Sequence, residues 1–360
     1  MSNVSRTTVS LNDLRRMIPV MGATQTIVIP SEPGVGKSTL LKLLAEDMGH
    51  DEWDYIYLDC AVLDMGDLMM NVPDKDTGTL TQYVSGMFKL GNGKKKCIMA
   101  DEIGKLPKIL MPIVTRLFLE RTLGDTPLPE GSIIFCTTNN TSDGVGDVMQ
   151  AHVLNRVTVM PMRKPTGIEW VRDFANRAGI TAVTQAFAVM NGSAFASYLD
   201  DGQTNNPMIF NPRTNNASFL SPRSLAKADL AFVKNRKVLG EDVTFAGLVG
   251  TIGKAGAEAL SAFIALEKDA VDPRTVLADP TGAPLPEKLA AMYMVMFNGI
   301  EAIQTQDDLS AFVTYIGRKQ DSELESVFYT FVTNNAKTTR LARGNAKIKT
   351  WMIDNHMLLV

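Results

Sequence analysis

The sequence predicts an α/β domain on a five-stranded parallel sheet, followed by an all-helical region. Five short β-type runs, residues 26–29, 55–58, 97–100, 132–136 and 156–160, alternate with helix-like stretches through the first half. From about residue 180 helical periodicity takes over and such runs vanish. The chain has 360 residues, 45% apolar and 21% charged, enough for two or three packed domains.

The first run leads into Ser31-Glu32-Pro33-Gly34-Val35-Gly36-Lys37-Ser38-Thr39, which opens a helix over 39–47. Runs 55–58 and 97–100 lack apolar/polar alternation, the pattern of strands covered on both faces. A helix over 107–119 starts at Pro107, suited to a first helical position, and holds Pro112, which predicts a kink. A short helix over 148–154 precedes the fifth run. Residues 200–218, rich in Asn, Pro and Gly, predict a long exposed loop. Helices follow over 222–234, 257–266, 286–303, 309–316 and 323–332, with a Pro/Gly-punctuated break over 272–286. These shifts divide the chain into 1–179, 180–270 and 271–360.

The formal net charge is −3, which argues against coating nucleic acid through bulk positive charge. Cys60, Cys97 and Cys136 lie in or beside apolar runs and read as core thiols of a reducing compartment. The first twenty residues carry Arg6, Arg15 and Arg16 without a continuous apolar stretch, so no secretory signal is expected there. The apolar run 289–297 is too short to cross a bilayer. A cytoplasmic protein without membrane partners is the expectation.

Three segments carry chemistry. In the first, Gly34 and Gly36 let backbone N–H groups turn inward around phosphates, and the following helix start adds positive potential. Lys37 would reach terminal phosphates, and the Ser38 hydroxyl would coordinate Mg2+. Ser31 stands where such a loop normally has its first glycine, which predicts strain at the strand-to-loop turn. In the second, Lys96-Cys97-Ile98-Met99-Ala100-Asp101-Glu102, a strand delivers two carboxylates to the sheet's carboxyl edge. Asp101 would hold the Mg2+ shell and Glu102 would polarise an attacking water. In the third, residues 133–140, Asn139 and Asn140 either place a neutral donor beside the terminal phosphate or form a turn.

In this order and spacing the three segments resemble the AAA+ superfamily of ring-forming ATPases, with the pattern nearest its MoxR-like branch. The likeness continues through Leu119-Glu120-Arg121-Thr122-Leu123-Gly124, Leu128-Pro129-Glu130-Gly131, Val153-Leu154-Asn155-Arg156-Val157, Trp170, Leu220-Ser221-Pro222-Arg223-Ser224 and Val276-Leu277-Ala278-Asp279-Pro280. It implies a P-loop NTPase fold with a helical lid over 180–270, a C-terminal helical extension, and Mg2+-dependent ATP hydrolysis. Pro33, Gly34, Val35, Gly36, Lys37, Ser38 and Thr39 would bind nucleotide, and Ser38 and Asp101 the metal. Glu102 would activate water and Asn139 would sense the terminal phosphate. Arg156 would be the arginine finger entering a neighbouring subunit, although Asn155 precedes it where the family often has Asp. Arg223 would be the second sensor on the lid. The resemblance also implies a homo-oligomeric, hexameric ring that remodels a protein partner of von Willebrand A type.

Residues 63–90, containing Met65, Met69, Met70 and Met87, match a family insertion facing the axial opening, with Tyr83 a candidate pore contact. Ordinary packing is the other reading of these methionines, and a chain with 20 Met favours it. Residues 120–131 match a second, hairpin insertion. Gly93-Lys94-Lys95-Lys96 reads as a solvated basic turn guarding a buried strand. Between Glu325 and Asp354 no acid occurs, while Lys337, Arg340, Arg343, Lys347 and Lys349 accumulate. Such a strip binds phosphates, docks an acidic partner or lies solvated, so a nucleic-acid motor or loader is the alternative function. A non-hydrolysing scaffold is a third reading, opposed by the pair Asp101 and Glu102. His50, His152 and His356 are scattered and form no zinc pattern.

Overall fold

The computed structural model describes residues 7–139, 155–214 and 217–355. The expected helix over 148–154, together with Asn140, His152 and His356, lies outside them. Contacts divide the chain into two units, 1–164 and 165–360.

In the first unit the chain runs through α1 (Leu11–Met21), β1 (Ile27–Ser31), α2 (Leu40–Met48), β2 (Trp53–Asp59) and α3 (Met65–Leu68). It continues as β3 (Met69–Asp74), β4 (Thr79–Val84), β5 (Lys95–Asp101), α4 (Met111–Glu120), β6 (Thr122–Leu123), β7 (Thr126–Pro127), β8 (Ile133–Asn139) and β9 (Thr158–Val159). The five runs predicted from sequence form one sheet in the order β2-β5-β8-β1-β9, every pairing parallel.

Strand alternation sorts the sheet's side chains onto two faces. Val28, Ile56, Leu58, Ile98, Ala100, Ile134 and Cys136 pack with Val114, Leu117 and Phe118 of α4. Ile27, Ile29, Cys97, Met99, Ile133 and Phe135 pack with Leu14 and Ile18 of α1 and with Leu40 and Leu44 of α2. Each of these larger side chains stabilises the fold by about 2 kcal/mol through burial. The three cysteines are free and buried; desolvation pushes Cys60 and Cys97 up to about 12, so they stay protonated thiols.

Several sequence expectations change here. Pro112 does not kink a helix, because α4 starts only at Met111 and places the proline in its first turn, where no ladder hydrogen bond is lost. Residues 55–58 are not covered on both sides: β2 is an edge strand, and Tyr57 is 46% exposed. Nor is Lys96 part of a solvated turn. Its side chain is fully buried, and Nζ donates to Asp54 Oδ2 at 2.6 Å, Asn92 Oδ1 at 2.7 Å and the Lys89 carbonyl at 2.9 Å.

The Lys96 and Asn92 hydrogen bonds hold the Asp54 carboxyl below its ordinary value. The depressed acid therefore stabilises the fold above about pH 4, and that contribution drains away as pH falls further. Asp54→Ala should destabilise the first unit by about 3 kcal/mol, since it strands a buried ammonium. Chemical denaturation at neutral pH checks this, and a loss under about 0.5 kcal/mol would remove the pair from the account.

Two hairpins of the first unit stand apart from the five-stranded sheet. β3 and β4 pair antiparallel with Met70 opposite Tyr83, 60% and 58% exposed respectively. β6 and β7 make the short hairpin inside residues 120–131. A cleft of about 620 Å³, lined by Met65, Met69, Leu80 and Ile113 among others, lies between these hairpins and α4.

In the second unit, Trp170, Val171 and Ala175 pack against Ile180, Val183 and Phe187. Residues 165–179 therefore join the helical unit, which begins before the expected boundary at 179. One hydrophobic cluster runs from Trp170 to Met352, so packing makes a single unit where a break at 270 was expected. The helix Glu241–Ala265 is broken at Gly253, where φ is +76° and a Cβ would lie 2.8 Å from the Ser218 carbonyl oxygen. The stretch Glu241–Ala278 is long and apolar enough by length and composition to cross a membrane, which the run 289–297 did not suggest. Its Leu248, Ile252, Ala257 and Leu260 are buried in the helical core.

Candidate functional site

The carboxyl ends of β1, β5 and β8 lie side by side, and the sequence places polar residues at each. Register pairs Ser31 with Asn139 and Ala100 with Cys136, so Asp101 falls beside Thr137. This is the edge of an open α/β sheet where ligands bind.

The loop after β1 turns at Gly34 and Gly36, with φ of +75° and +104°, conformations cheap only for glycine. Ser31 brings none of the expected strain. It remains in β1 opposite Asn139 and is not among the positive-φ residues. Val35 is buried with Leu40 and Leu44, which anchors the loop to the core, and a tight turn over Lys37–Thr39 leads into α2. Lys37 is 7% exposed; its Nζ donates to Asn139 Oδ1 at 2.7 Å and to the carbonyls of Thr138, Glu32 and Ser31 at 3.2, 3.3 and 3.4 Å. A buried ammonium is thus fixed where loop and sheet edge meet.

The Asp101 carboxylate receives four donors. Oδ2 accepts from Ser38 Oγ at 3.1 Å and Tyr57 Oη at 2.8 Å; Oδ1 accepts from Thr137 Oγ1 and from the Glu102 amide at 3.2 Å. Burial first, and then the bond to Asp101, push the Tyr57 phenol's ionisation well up, so it stays a donor at neutral pH. Glu102 adopts φ +54°, ψ +47°, a left-handed conformation costing a non-glycine residue about 1 kcal/mol. Its carboxylate pairs with Lys105, whose ammonium is stabilised above its ordinary value by that partner.

Lys37, Ser38, Asp101, Glu102 and Asn139 therefore come together. Arg156 does not join them. It is exposed, its carbonyl accepts from Gln25 Nε2 at 3.2 Å, and the register Ile27 to Thr158 sets it before the amino end of β9. The phosphate-type loop leaves β1 from the opposite end. Arg223 belongs to the second unit, exposed in the first turn of Pro222–Ala228 behind a Ser221–Ser224 capping box.

Sequence reasoning missed Tyr57, Thr137 and Lys105. Thr137 was legible only as a polar residue in a buried run, and Tyr57 only through the β2–β5 register that pairs Asp59 with Asp101. Lys105 had a local signal, its three-residue spacing from Glu102.

The donor set fits a nucleotide with its cation. Ser38 and Asp101 offer hard oxygens side by side, as Mg2+ requires. Glycine-turned amides and Lys37 suit phosphates. Fold and site together define an open α/β core on a five-stranded parallel sheet with a phosphate-type loop, followed along the chain by a helical region.

No model of a known protein family matches the chain. A curated relative, the anaerobic nitric oxide reductase transcription regulator NorR of Aeromonas salmonicida, is 27% identical over 181 residues, 47% of this chain and 35% of its own. The chain thus spans about a third of that relative. Among solved structures, the Thermotoga maritima RuvB Holliday junction branch migration motor is 12% identical with a TM-score of 0.39, covering 74% of each chain. Brucella abortus NtrX is 12% identical with a TM-score of 0.33, over 98% of this chain and 69% of its own. At such scores neither likeness bears on function.

Proposed function

We propose that the protein is an Mg2+-dependent ATPase that works as a ring and remodels a protein partner. The observation that carries the ATPase reading is the convergence of Lys37, Ser38, Asp101, Glu102 and Asn139 on one sheet edge. Lys37 and the loop amides around Gly34 and Gly36 would bind the phosphates, and Ser38 and Asp101 would hold Mg2+. When bound, the cation supplies charge neutralisation for the terminal phosphates. Glu102 would accept a proton from the attacking water, and Asn139 would donate to the terminal phosphate through its amide.

Ring assembly is supported by Arg156, which is exposed and set away from the loop of its own chain. A finger so placed serves a neighbour. A hexamer, the MoxR-like assignment, a von Willebrand A-type partner and Arg223 as a second sensor complete the proposal and rest on the resemblance in sequence. The exposed Met70 and Tyr83 suit a surface that grips a polypeptide. The alternative, a nucleic-acid motor on the same core, rests on the strip of Lys337, Arg340, Arg343, Lys347 and Lys349.

The direct test is nucleotide binding. The protein should bind a fluorescent ATP analogue in Mg2+, and Lys37→Ala should weaken that binding about a hundredfold, the loss of roughly 2.7 kcal/mol of charge-assisted hydrogen bonding. Equal affinity in the two proteins would place the nucleotide elsewhere.

A further inference from the structure

Tyr57 lies outside the motifs that define the candidate site, yet its hydroxyl is part of it. The side chain leaves the edge strand β2, and Oη donates to Asp101 Oδ2 at 2.8 Å, a charge-assisted bond. The residue as a whole is 46% exposed, while its hydroxyl is turned to Asp101.

The four donors to Asp101 divide by oxygen. Thr137 Oγ1 and the Glu102 amide hold Oδ1 from the sheet. Oδ2 takes Ser38 Oγ at 3.1 Å and Tyr57 Oη at 2.8 Å. Ser38 is itself a candidate metal ligand, whose oxygen would face a cation. Tyr57 is then the Oδ2 donor with no other task, and once Ser38 turns to the cation it sets the direction in which the lone pair that Ser38 vacates points.

Resting on the nucleotide reading above, we propose that Tyr57 is a positioning residue for Mg2+: its phenol fixes the Asp101 carboxylate that, with Ser38, holds the cation. Outer partners of metal ligands typically contribute about 10–100-fold to metal affinity. Tyr57→Phe removes only the hydroxyl and keeps the ring's packing.

The test is an Mg2+ titration of fluorescent ATP-analogue binding, with parallel binding in EDTA and a thermal unfolding scan. For Tyr57→Phe the half-maximal Mg2+ concentration should rise about tenfold, while binding in EDTA stays within about twofold and the unfolding midpoint is unchanged. A titration superimposed on wild type would overturn the role of Tyr57. So would an equal loss of binding with and without Mg2+, because that pattern reports a damaged pocket. If the wild-type protein itself showed no Mg2+-dependent binding, the nucleotide reading would fall, and this proposal with it.

Discussion

Glu102→Gln should bind ATP with nearly wild-type affinity and turn it over roughly a thousandfold more slowly. The amide keeps the side chain's size and its place after β5, but cannot accept a proton from water, and such general-base contributions are worth about 10²–10⁴ in rate. The backbone at Glu102 is already left-handed and anchored through its N–H to Asp101 and Thr137 at 3.2 and 3.3 Å, so the substitution leaves the local frame intact. Its ion pair with Lys105 would be lost, at little cost to stability because Lys105 is 59% exposed. Steady-state phosphate release alongside equilibrium nucleotide binding separates the two effects. Unchanged hydrolysis would take Glu102 out of its role.

Arg156→Ala should likewise leave binding intact and lower turnover by a factor on the order of a thousand, the usual contribution of an arginine on the transferring phosphoryl group. The sharper form is a mixing experiment. Subunits carrying Arg156→Ala retain Glu102, and subunits carrying Glu102→Gln retain Arg156. A site formed between one of each has both groups, so mixed assemblies should regain part of the activity that neither variant shows alone. No recovery at any ratio would mean that Arg156 does not act across a subunit boundary.

How much of this was legible in the sequence follows from where the signals are local. Runs of Val, Ile and Cys marked the sheet strands, and two glycines before Lys37 marked the loop, because each is written within about ten residues. Strand order was not. It depends on register between distant segments, which is also why the edge position of β2 and the partners of Tyr57 stayed hidden. Lys96 was misread because a basic run looks solvated. Only the fold brings Asp54 and Asn92 around its ammonium. Pro112 was misplaced for a different reason, since helix starts are the least sharply encoded feature of a helix without a side-chain cap. The domain boundary shifted because Trp170 and Ala175 pack forward onto Phe187, a choice of partner that composition does not encode.

The most direct measurement is the structure of the Glu102→Gln protein with ATP and Mg2+ bound. The triphosphate should lie along the amides of residues 34–39, with Lys37 Nζ and the Asn139 amide on its terminal oxygens, and the cation beside Ser38 and Asp101. A nucleotide seated elsewhere, with Lys37 still donating to Asn139 and Ser38 to Asp101, would contradict the account at its root.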